Sequence, residues 1–258
     1  MKKSDLRILK LLEMLREKKR LDIATVVKKL NISEATARRL FSSLETDGKL
    51  IRIHGGIQLA PELESAYSFK VSAAMNKEEK TQIGFFAAQS VKSGERIFLD
   101  SGTTVMKMAE ALAKRIRSGE LENLLVVTNS ISCINNLAEV CKITLIGGTM
   151  RPERLDVCGP VAENNLTKYH FDKTYIGADA ISLQGEIMAT DEATCHINEI
   201  AIAQSQKNIV LAAANKFAKS SFISFGNLDS KYVVYTDSSL PAKKLSMLKK
   251  TKAEIILV

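Results

Sequence analysis

The chain has 258 residues, of which 45% are hydrophobic, and its formal net charge at pH 7 is +8. This length suits one large domain, or a small domain followed by a larger one. No apolar run reaches the roughly 18–20 residues that a membrane-spanning helix needs, and the first residues lead into an amphipathic pattern rather than a secretory signal. We therefore expect no membrane partner.

The four cysteines are scattered through the second half of the sequence, without the C-x-x-C spacing of zinc and redox motifs. They are Cys133, Cys141, Cys158 and Cys195. Isolated cysteines in a chain of this size are typical of reduced, structural thiols. We therefore expect a cytoplasmic protein without a metal site or another cofactor.

The excess positive charge is concentrated in residues 1–60. That segment holds 14 Lys and Arg residues and 7 Asp and Glu residues, which gives it a charge of +7 and leaves +1 for the rest of the chain. A basic module on a near-neutral body favours a polyanion as the partner of that module. The alternative is a general effect of charge on solubility.

Three amphipathic segments in residues 1–60 predict three short helices, and Asp22 and Ser33 are placed to cap the second and third. Their apolar residues recur at helical spacing. These are Ile8, Leu11, Leu12 and Leu15 in the first, Ile23, Val26, Val27 and Leu30 in the second, and Ala37, Leu40, Phe41 and Leu44 in the third. The tight turn between the last two is the pattern of a helix-turn-helix.

An alternating segment follows the third helix, where Ile51 and Ile53 alternate with Arg52 and His54 before a turn at Gly55-Gly56. The pattern predicts a β-hairpin wing with a basic face. With its apolar stripe turned inward, the third helix presents small and basic residues, which suit a DNA major groove. A solvated helix face is the alternative. The residues expected to contact duplex DNA are Ser33, Thr36, Arg38, Arg39, Arg52 and His54.

Three segments carry a resemblance to a known family. R-I-L-K-L-L (7–12), S-E-A-T-A-R-R-L (33–40) and R-I-H-G-G (52–56) resemble the DNA-binding end of the DeoR family of bacterial transcription regulators. The resemblance implies a winged helix-turn-helix that binds double-stranded operator DNA. Members of that family usually carry an acidic residue after the arginine pair, where this chain has Leu40.

Periodicity is lost around Pro61, so we place the domain boundary there. We expect a DNA-binding domain at 1–60, an extended linker at 61–75 and an effector-binding and oligomerisation domain at 76–258. In the last part, seven apolar runs separated mostly by helical patterns predict a parallel sheet and an α/β fold class. The runs are Ile97–Leu99, Leu124–Val127, Ile143–Ile146, Tyr175–Ile176, Ile209–Leu211, Tyr232–Tyr235 and Ile255–Val258.

Polar and glycine residues follow five of these runs. Because the carboxyl ends of parallel strands meet at one edge of a sheet, they predict a ligand pocket. The segment 100–104 opens a predicted helix, whose backbone N–H groups and hydroxyls suit a phosphate; a capped turn is the alternative. The expected pocket residues are Asp100, Ser101, Gly102, Thr103, Thr104, Thr128, Asn129, Gly148, Arg151, Asp179 and Lys216.

The resemblance extends to this part of the chain. The ordered set D-S-G-T-T, V-V-T-N-S, I-G-G-T-M-R, G-A-D and N-K-F resembles the effector domain of the same family, whose fold is related to ribose-5-phosphate isomerase. It implies a phosphorylated sugar as effector and repression of a sugar-catabolism operon. It also implies ligand-site positions at Ser101, Thr103, Thr104, Asp179 and Lys216. The family commonly has an acidic residue three before the lysine, where this chain has Ala213.

Two other functions are compatible with parts of the sequence. A sugar-phosphate isomerase with a nucleic-acid module needs carboxylates for proton transfer. By the resemblance, the positions that would supply them are those of Ser182 and Ala213, which are not acidic. We therefore expect no enzyme, although Glu186 and Glu192 keep that alternative open. An RNA-binding module is disfavoured because few aromatic residues lie near the basic face for base stacking.

The expected assembly follows from the expected DNA site. Paired winged helices suit an inverted repeat with half-sites about 34 Å apart, or a multiple of this spacing. We therefore expect a homodimer or homotetramer.

Overall fold

The computed structural model describes residues 3–18, 20–53, 55–59 and 68–258. The chain divides into two compact units, Met1–Met75 and Asn76–Val258. His54, expected to contact DNA, lies outside the described residues, as do residue 60 and residues 61–67 of the expected linker. The domain limits at 1–60 and 76–258 stay a prediction.

The described part of the first unit contains four helices and three strands. They are α1 (Lys3–Lys18), β1 (Arg20–Asp22), α2 (Ile23–Leu30), α3 (Glu34–Thr46), β2 (Leu50–Ile53), β3 (Gly56–Leu59) and α4 (Phe69–Ala74). The strands form an antiparallel sheet in the order β1-β3-β2, and β2 and β3 are the expected wing. The wing has a third strand because β1 pairs with β3, a pairing that three residues of sequence do not reveal.

Both expected helix caps are present. The Asp22 carboxylate accepts a hydrogen bond from Thr25 N at 2.7 Å, and Ser33 Oγ accepts one from Thr36 N at 3.2 Å. Between these helices Asn31 adopts a left-handed conformation, with φ of 49°. That conformation ends α2 abruptly and lets α3 begin three residues later.

The apolar stripes of the helices pack into one small core. Ala37, Phe41 and Leu44 of α3 are buried there, together with Leu11, Leu15 and Val26 of the other helices and with Leu50, Ile57 and Leu59 of the wing. Burying the stripe of α3 leaves the opposite side of that helix at the surface. The packing therefore fixes which face of α3 is available for binding.

The expectation of an extended linker over 61–75 is wrong for its last part. Phe69–Ala74 is a helix, and Phe69 and Val71 in it are buried. The burial of these two apolar side chains accounts for the helical segment, since a short helix gains most of its stability from packing.

The second unit is built around a seven-stranded sheet. Its elements are α5 (Lys77–Gln89), β4 (Arg96–Leu99), α6 (Thr103–Arg117), β5 (Leu125–Thr128), α7 (Ile131–Leu137), β6 (Lys142–Leu145), β7 (Thr149–Arg151), β8 (Asp156–Cys158), α8 (Pro160–Leu166), β9 (Phe171–Gly177), β10 (Ala180–Ile181), β11 (Glu186–Ala189), α9 (Glu192–Ala203), β12 (Ser205–Leu211), β13 (Ile223–Asn227), β14 (Tyr232–Thr236), α10 (Ala242–Leu248) and β15 (Glu254–Leu257). Short 3₁₀ turns lie at Ala214–Lys216 and Lys249–Thr251.

The large sheet has the strand order β15-β14-β12-β9-β4-β5-β6, and all of its neighbouring strands are parallel. Each of the seven apolar runs overlaps one of these strands and extends at most one residue beyond it, which confirms the predicted parallel α/β sheet. Strand order reverses between β4 and β9, because β5 and β6 continue to one side and β12, β14 and β15 to the other. The carboxyl ends of β4 and β9 therefore flank a topological switch point, where open sheets of this type bind ligands.

Helices cover both faces of the sheet. Along β4, Ile97 and Leu99 pack in one buried cluster with residues of α5, α6 and α7, while Phe98 packs in another with residues of α8 and α9. This alternation is the period of two of a strand whose two faces are both buried. Two smaller antiparallel sheets, β7-β8 and β10-β11-β13, accompany the main one.

Candidate functional site

The outer face of α3 is exposed and basic. Arg38 and Arg39 both lie on it, and no ion pair among the described residues involves Arg39. Arg38 is held by Glu34 one turn earlier, with Nε and Nη2 at 3.0 and 2.6 Å from Glu34 Oε1. Because both side chains of this pair are more than half exposed, the guanidinium is free to exchange Glu34 for another anion at small cost.

Ser33 and Thr36, two residues expected to contact DNA, are hydrogen-bonded to each other at the start of α3. The hydroxyls of Ser33 and Thr36 lie 2.8 Å apart, and Ser33 also caps the helix. Ser33 thus positions the first turn of α3, which is the part of such a helix that approaches base edges.

Arg52 fastens the wing to α3. Its Nε lies 3.0 Å from Glu45 Oε2, and its Nη2 donates a hydrogen bond to Ser42 Oγ. The wing strand β2 and the second half of α3 are therefore joined through one side chain. This arrangement places Arg52 at the junction of the two elements that the sequence predicts to contact DNA.

The switch point of the large sheet is closed by Asp100. Its Oδ2 accepts a hydrogen bond from Gly177 N at 3.0 Å, which ties the end of β4 to the end of β9. The backbones approach closely here, since a Cβ on Gly102 would lie 3.4 Å from Gly177 Cα. Burial raises the pKa of the Asp100 carboxyl to about 6; the N–H groups of Gly177 and Ser101 oppose the rise, and the Asp156 and Asp179 carboxylates add to it.

Helix α6 begins at this switch point. Its N-cap is Gly102, which has no side chain to bond the first turn. The first N–H groups of a helix have no partners within the helix and carry partial positive charge. The hydroxyl-bearing residues Thr103 and Thr104, both buried, form the first turn. This geometry suits an anion.

Arg151 is drawn into the same site by two carboxylates. Its Nε and Nη2 donate to Asp156 at 2.8 and 2.6 Å, and its Nη1 donates to Asp191 at 2.7 Å. Ser101 Oγ donates to Asp156 Oδ2 at 3.0 Å. The expected pocket residues Ser101 and Arg151 therefore meet, and the residue that joins them is Asp156.

Asp179 and Lys216 form the opposite side of the polar network. Lys216 Nζ lies 3.9 Å from Asp179 Oδ1, and Asp179 Oδ2 accepts hydrogen bonds from both the N–H and the hydroxyl of Thr190. Arg154 links this side to the first, because its Nη2 lies 2.7 Å from Thr190 Oγ1 and 2.9 Å from Asp191 Oδ2.

Two expected pocket residues, Thr128 and Gly148, have other contacts, and a third, Asn129, has a side-chain oxygen with none in the part of the chain that the structure describes. Thr128 is buried; its hydroxyl donates to Leu99 O and accepts from Ser130 N, so it braces the ends of β4 and β5. Gly148 has a φ of 129°, and a Cβ there would lie 2.6 Å from Cys158 O, so packing alone requires glycine. Asn129 is also buried, and its Oδ1 has no hydrogen-bond partner among the described residues.

Sequence reasoning missed five members of the network. They are Asp156, Asp191, Arg154, Thr190 and Thr194. Asp191 carried a local signal, because it caps α9 by accepting from Thr194 N. Asp156 and Arg154 lie in the β7-β8 hairpin, whose register only the folded chain shows.

The described residues contain no group of three or more His, Cys, Asp or Glu side chains that is placed to hold a metal ion. None of the described helices is long and apolar enough to cross a membrane.

Comparisons with known proteins agree over almost the whole chain. Residues 7–62 match the family described as the DeoR-like helix-turn-helix domain, and residues 75–238 match the DeoR C terminal sensor domain. The lactose phosphotransferase system repressor of Lactococcus lactis subsp. lactis is 32% identical over 82% of both chains. The HTH-type transcriptional repressor GlcR of Bacillus subtilis (strain 168) is 30% identical over 90% of this chain and 87% of its own.

Among solved structures, the ribose 5-phosphate isomerase from Plasmodium falciparum is similar at a TM-score of 0.41 and 18% identity. The match covers 54% of this chain and 52% of that one.

Proposed function

We propose that this chain, which belongs to the DeoR family of transcription regulators, represses a sugar-catabolism operon under the control of a phosphorylated sugar. The chain is a DNA-binding regulator with a sensor domain and not an enzyme. Its named relatives are likewise repressors. The name of the lactose phosphotransferase system repressor links one relative to a system for a sugar, lactose. That link supports a sugar-related operon as the target.

The observation that carries the effector proposal is the start of α6 at the switch point. A helix whose N-cap is Gly102 begins there, with two buried threonines in its first turn. A phosphate of the effector would accept from the backbone N–H groups of this turn and from the hydroxyls of Thr103 and Thr104. Asp179 would accept hydrogen bonds from the sugar hydroxyls, and Lys216 would pair with the anion of the ligand.

The DNA proposal rests on the outer face of α3 and the wing. Thr36, Arg38 and Arg39 would meet base edges or phosphates in the major groove, and Arg38 would leave Glu34 to do so. Arg52 would keep the wing against α3 or hold the DNA backbone. Two copies of this reader in a homodimer, or in a homotetramer, would bind an inverted repeat with half-sites about 34 Å apart.

Control requires that the effector bind two states of the protein unequally, because a ligand with equal affinity for both shifts nothing. The sugar phosphate would favour one arrangement of the paired readers over another. Operator affinity would then change with effector concentration.

The test of this proposal is a thermal-shift screen of the full chain against pentose and hexose phosphates, with the unphosphorylated sugars as matched controls. We expect at least one phosphorylated sugar to raise the unfolding temperature while its parent sugar does not. Operator binding is then measured with and without that compound. Equal shifts from neutral sugars, or none from any phosphate, would contradict the effector assignment.

A further inference from the structure

Asp156 is a buried carboxylate at the proposed anion site. Its side chain is 1% exposed, and it sits at the first position of β8. Among the described residues, its carboxylate receives three hydrogen bonds: two from the Arg151 guanidinium, at 2.8 and 2.6 Å, and one from the Ser101 hydroxyl, at 3.0 Å. The last of these joins the β7-β8 hairpin to the loop that precedes α6.

The groups that bind Asp156 are donors of the kind that bind a phosphate. A guanidinium presents a fork of N–H donors that matches a carboxylate or a phosphate equally well. Ser101 lies between Asp100 and Gly102, inside the segment proposed to hold the effector's phosphate. In this structure the carboxylate of Asp156 accepts the hydrogen bonds of Arg151 and Ser101 that an anionic ligand would use.

We propose that Asp156 is a built-in anion that competes with the effector's phosphate for Ser101 and Arg151, and so sets the affinity of the sensor. The proposal rests on the proposed function, because it takes the start of α6 as the phosphate site. Binding then proceeds as an exchange in which Ser101, and one or more N–H groups of Arg151, pass from Asp156 to the ligand.

The charges around the site support an exchange rather than a simple addition. Four carboxylates, those of Asp100, Asp156, Asp179 and Asp191, share the network with three cationic side chains, those of Arg151, Arg154 and Lys216. A phosphate added without rearrangement would enter a site with no surplus of positive charge. The phosphate can form a direct ion pair with Arg151 only if a carboxylate releases its contact with the guanidinium.

A purely structural role is the alternative for Asp156. Arg151 and Asp156 are register partners in the β7-β8 hairpin, and a cross-strand ion pair stabilises such a hairpin. A structural role accounts for the Arg151 contacts. It does not by itself account for Ser101, which comes from a different element and whose hydroxyl lies 3.0 Å from the same carboxylate and 3.4 Å from Asp100 Oδ1.

The test is a calorimetric titration of the full chain with inorganic phosphate, comparing the wild type with Asp156→Asn. Asparagine keeps the size of the side chain and an acceptor oxygen but removes the charge. We expect the variant to bind phosphate at least about tenfold more tightly, since one negative charge is removed within a few ångströms of the ligand. Asp172→Asn is the matched control. It removes one carboxylate from the Arg96–Asp172 ion pair at the start of β9 and should leave phosphate affinity unchanged.

Each outcome decides something. If Asp156→Asn binds phosphate as the wild type does, or more weakly, the competition is refuted and Asp156 only positions its neighbours; the phosphate site itself stands. If neither protein binds phosphate, the anion site is wrong and the effector part of the proposed function falls with it.

Two further measurements keep the proposal testable if Asp156→Asn does not fold. Asp156→Ser is smaller, keeps a hydroxyl to accept from Arg151, and should bind phosphate more tightly for the same reason. In the wild type, the Nε–H resonance of Arg151, which now donates to Asp156, should shift when phosphate is added. An unchanged resonance under saturating phosphate would overturn the exchange.

Discussion

Arg38 in the first unit and Arg151 in the second are each held by a carboxylate, but in different surroundings. The Arg38–Glu34 side chains are 62% and 58% exposed, whereas those of Arg151 and Asp156 are 16% and 1% exposed. Water replaces a partner of the first pair easily, so Arg38 is available to any polyanion. The second pair opens only for a ligand that replaces its contacts, because an unpaired buried charge is costly. The exposed Arg38 can therefore be approached by any polyanion, whereas opening the buried Arg151 pair requires a ligand that replaces its contacts.

The largest effect that this comparison predicts is on stability. Arg151→Ala leaves Asp156 and Asp191 without their shared cation, and should lower the free energy of unfolding by about 3–5 kcal/mol. Arg38→Ala removes only an exposed pair within one helix and should cost about 0.5 kcal/mol or less. Urea unfolding followed by circular dichroism measures both. Equal losses in the two variants would remove the contrast between the units.

The next effect concerns the proposed phosphate site at the first turn of α6. Replacing Thr103 and Thr104 together by valine keeps their shape and removes two hydroxyls, each worth about 1.5–3 kcal/mol when bonded to a charged group. We expect phosphate and sugar-phosphate affinity to fall at least about tenfold by calorimetry. DNA binding without effector should be unchanged, which serves as the internal control. A double variant that responds normally to effector would refute this phosphate site.

A somewhat smaller effect is expected at the reader. Arg39→Ala should cost about 1–3 kcal/mol of discrimination if the guanidinium reads a base, measured as the ratio of operator to random-duplex affinity. If it contacts a phosphate instead, affinity falls for all sequences and the salt dependence flattens. Arg117→Ala, an exposed charge on α6, is the matched control for net charge. Unchanged operator binding by Arg39→Ala would mean that α3 is not the recognition helix.

The smallest effect is a pH dependence that arises at Asp100. Its folded-state pKa is raised from 3.8 to about 6, mainly by burial, so between these values the native state binds more protons than the unfolded state. Stability therefore rises as pH falls through this window and is lost as pH rises through about 6. When the pH is lowered from 7 to 5, the free energy of unfolding of the wild type should rise by about 1 kcal/mol relative to that of Asp100→Asn.

The groups that face Asp100 are the N–H groups of Gly177 and Ser101 and the carboxylates of Asp156 and Asp179. Asp172 is the control for the pH experiment. Asp172, whose pKa is lowered by its hydrogen bonds with Arg96, contributes in the opposite direction: its stabilisation is present above its unfolded pKa and is lost as pH falls. A difference between wild type and Asp100→Asn that does not change with pH would contradict a raised pKa at Asp100.

Much of the fold was predictable because its signals are local. Inner strands of the large sheet such as β4 and β14 are buried on both faces, and a short apolar run such as Ile97–Leu99 between polar segments is typical of a buried parallel strand. Asp22 and Ser33 mark helix starts by side-chain chemistry alone. The helix at Phe69–Ala74 was missed because it is too short for a periodic pattern and depends on the burial of two residues.

The candidate sites were predictable only in part, because their last contacts join distant segments. Ser101 and Arg151 could be placed at the same sheet edge from strand order alone, but Asp156, which joins them, depends on the register of a hairpin. Thr128 was assigned to the pocket because it ends a strand, whereas its hydroxyl is used by the backbone of the neighbouring strand. A position at the sheet edge therefore predicts proximity, but not which way a hydroxyl bonds.

We propose that a sugar phosphate bound at the start of α6 controls DNA binding by the basic first unit. The direct test measures operator affinity by fluorescence anisotropy, at moderate ionic strength, for the wild type and the Thr103→Val, Thr104→Val variant. We predict that the sugar phosphate found by thermal shift changes the operator dissociation constant of the wild type and leaves that of the variant unaltered. A wild type that ignores duplex DNA, or whose affinity stays constant while it is saturated with the sugar phosphate, would contradict the account.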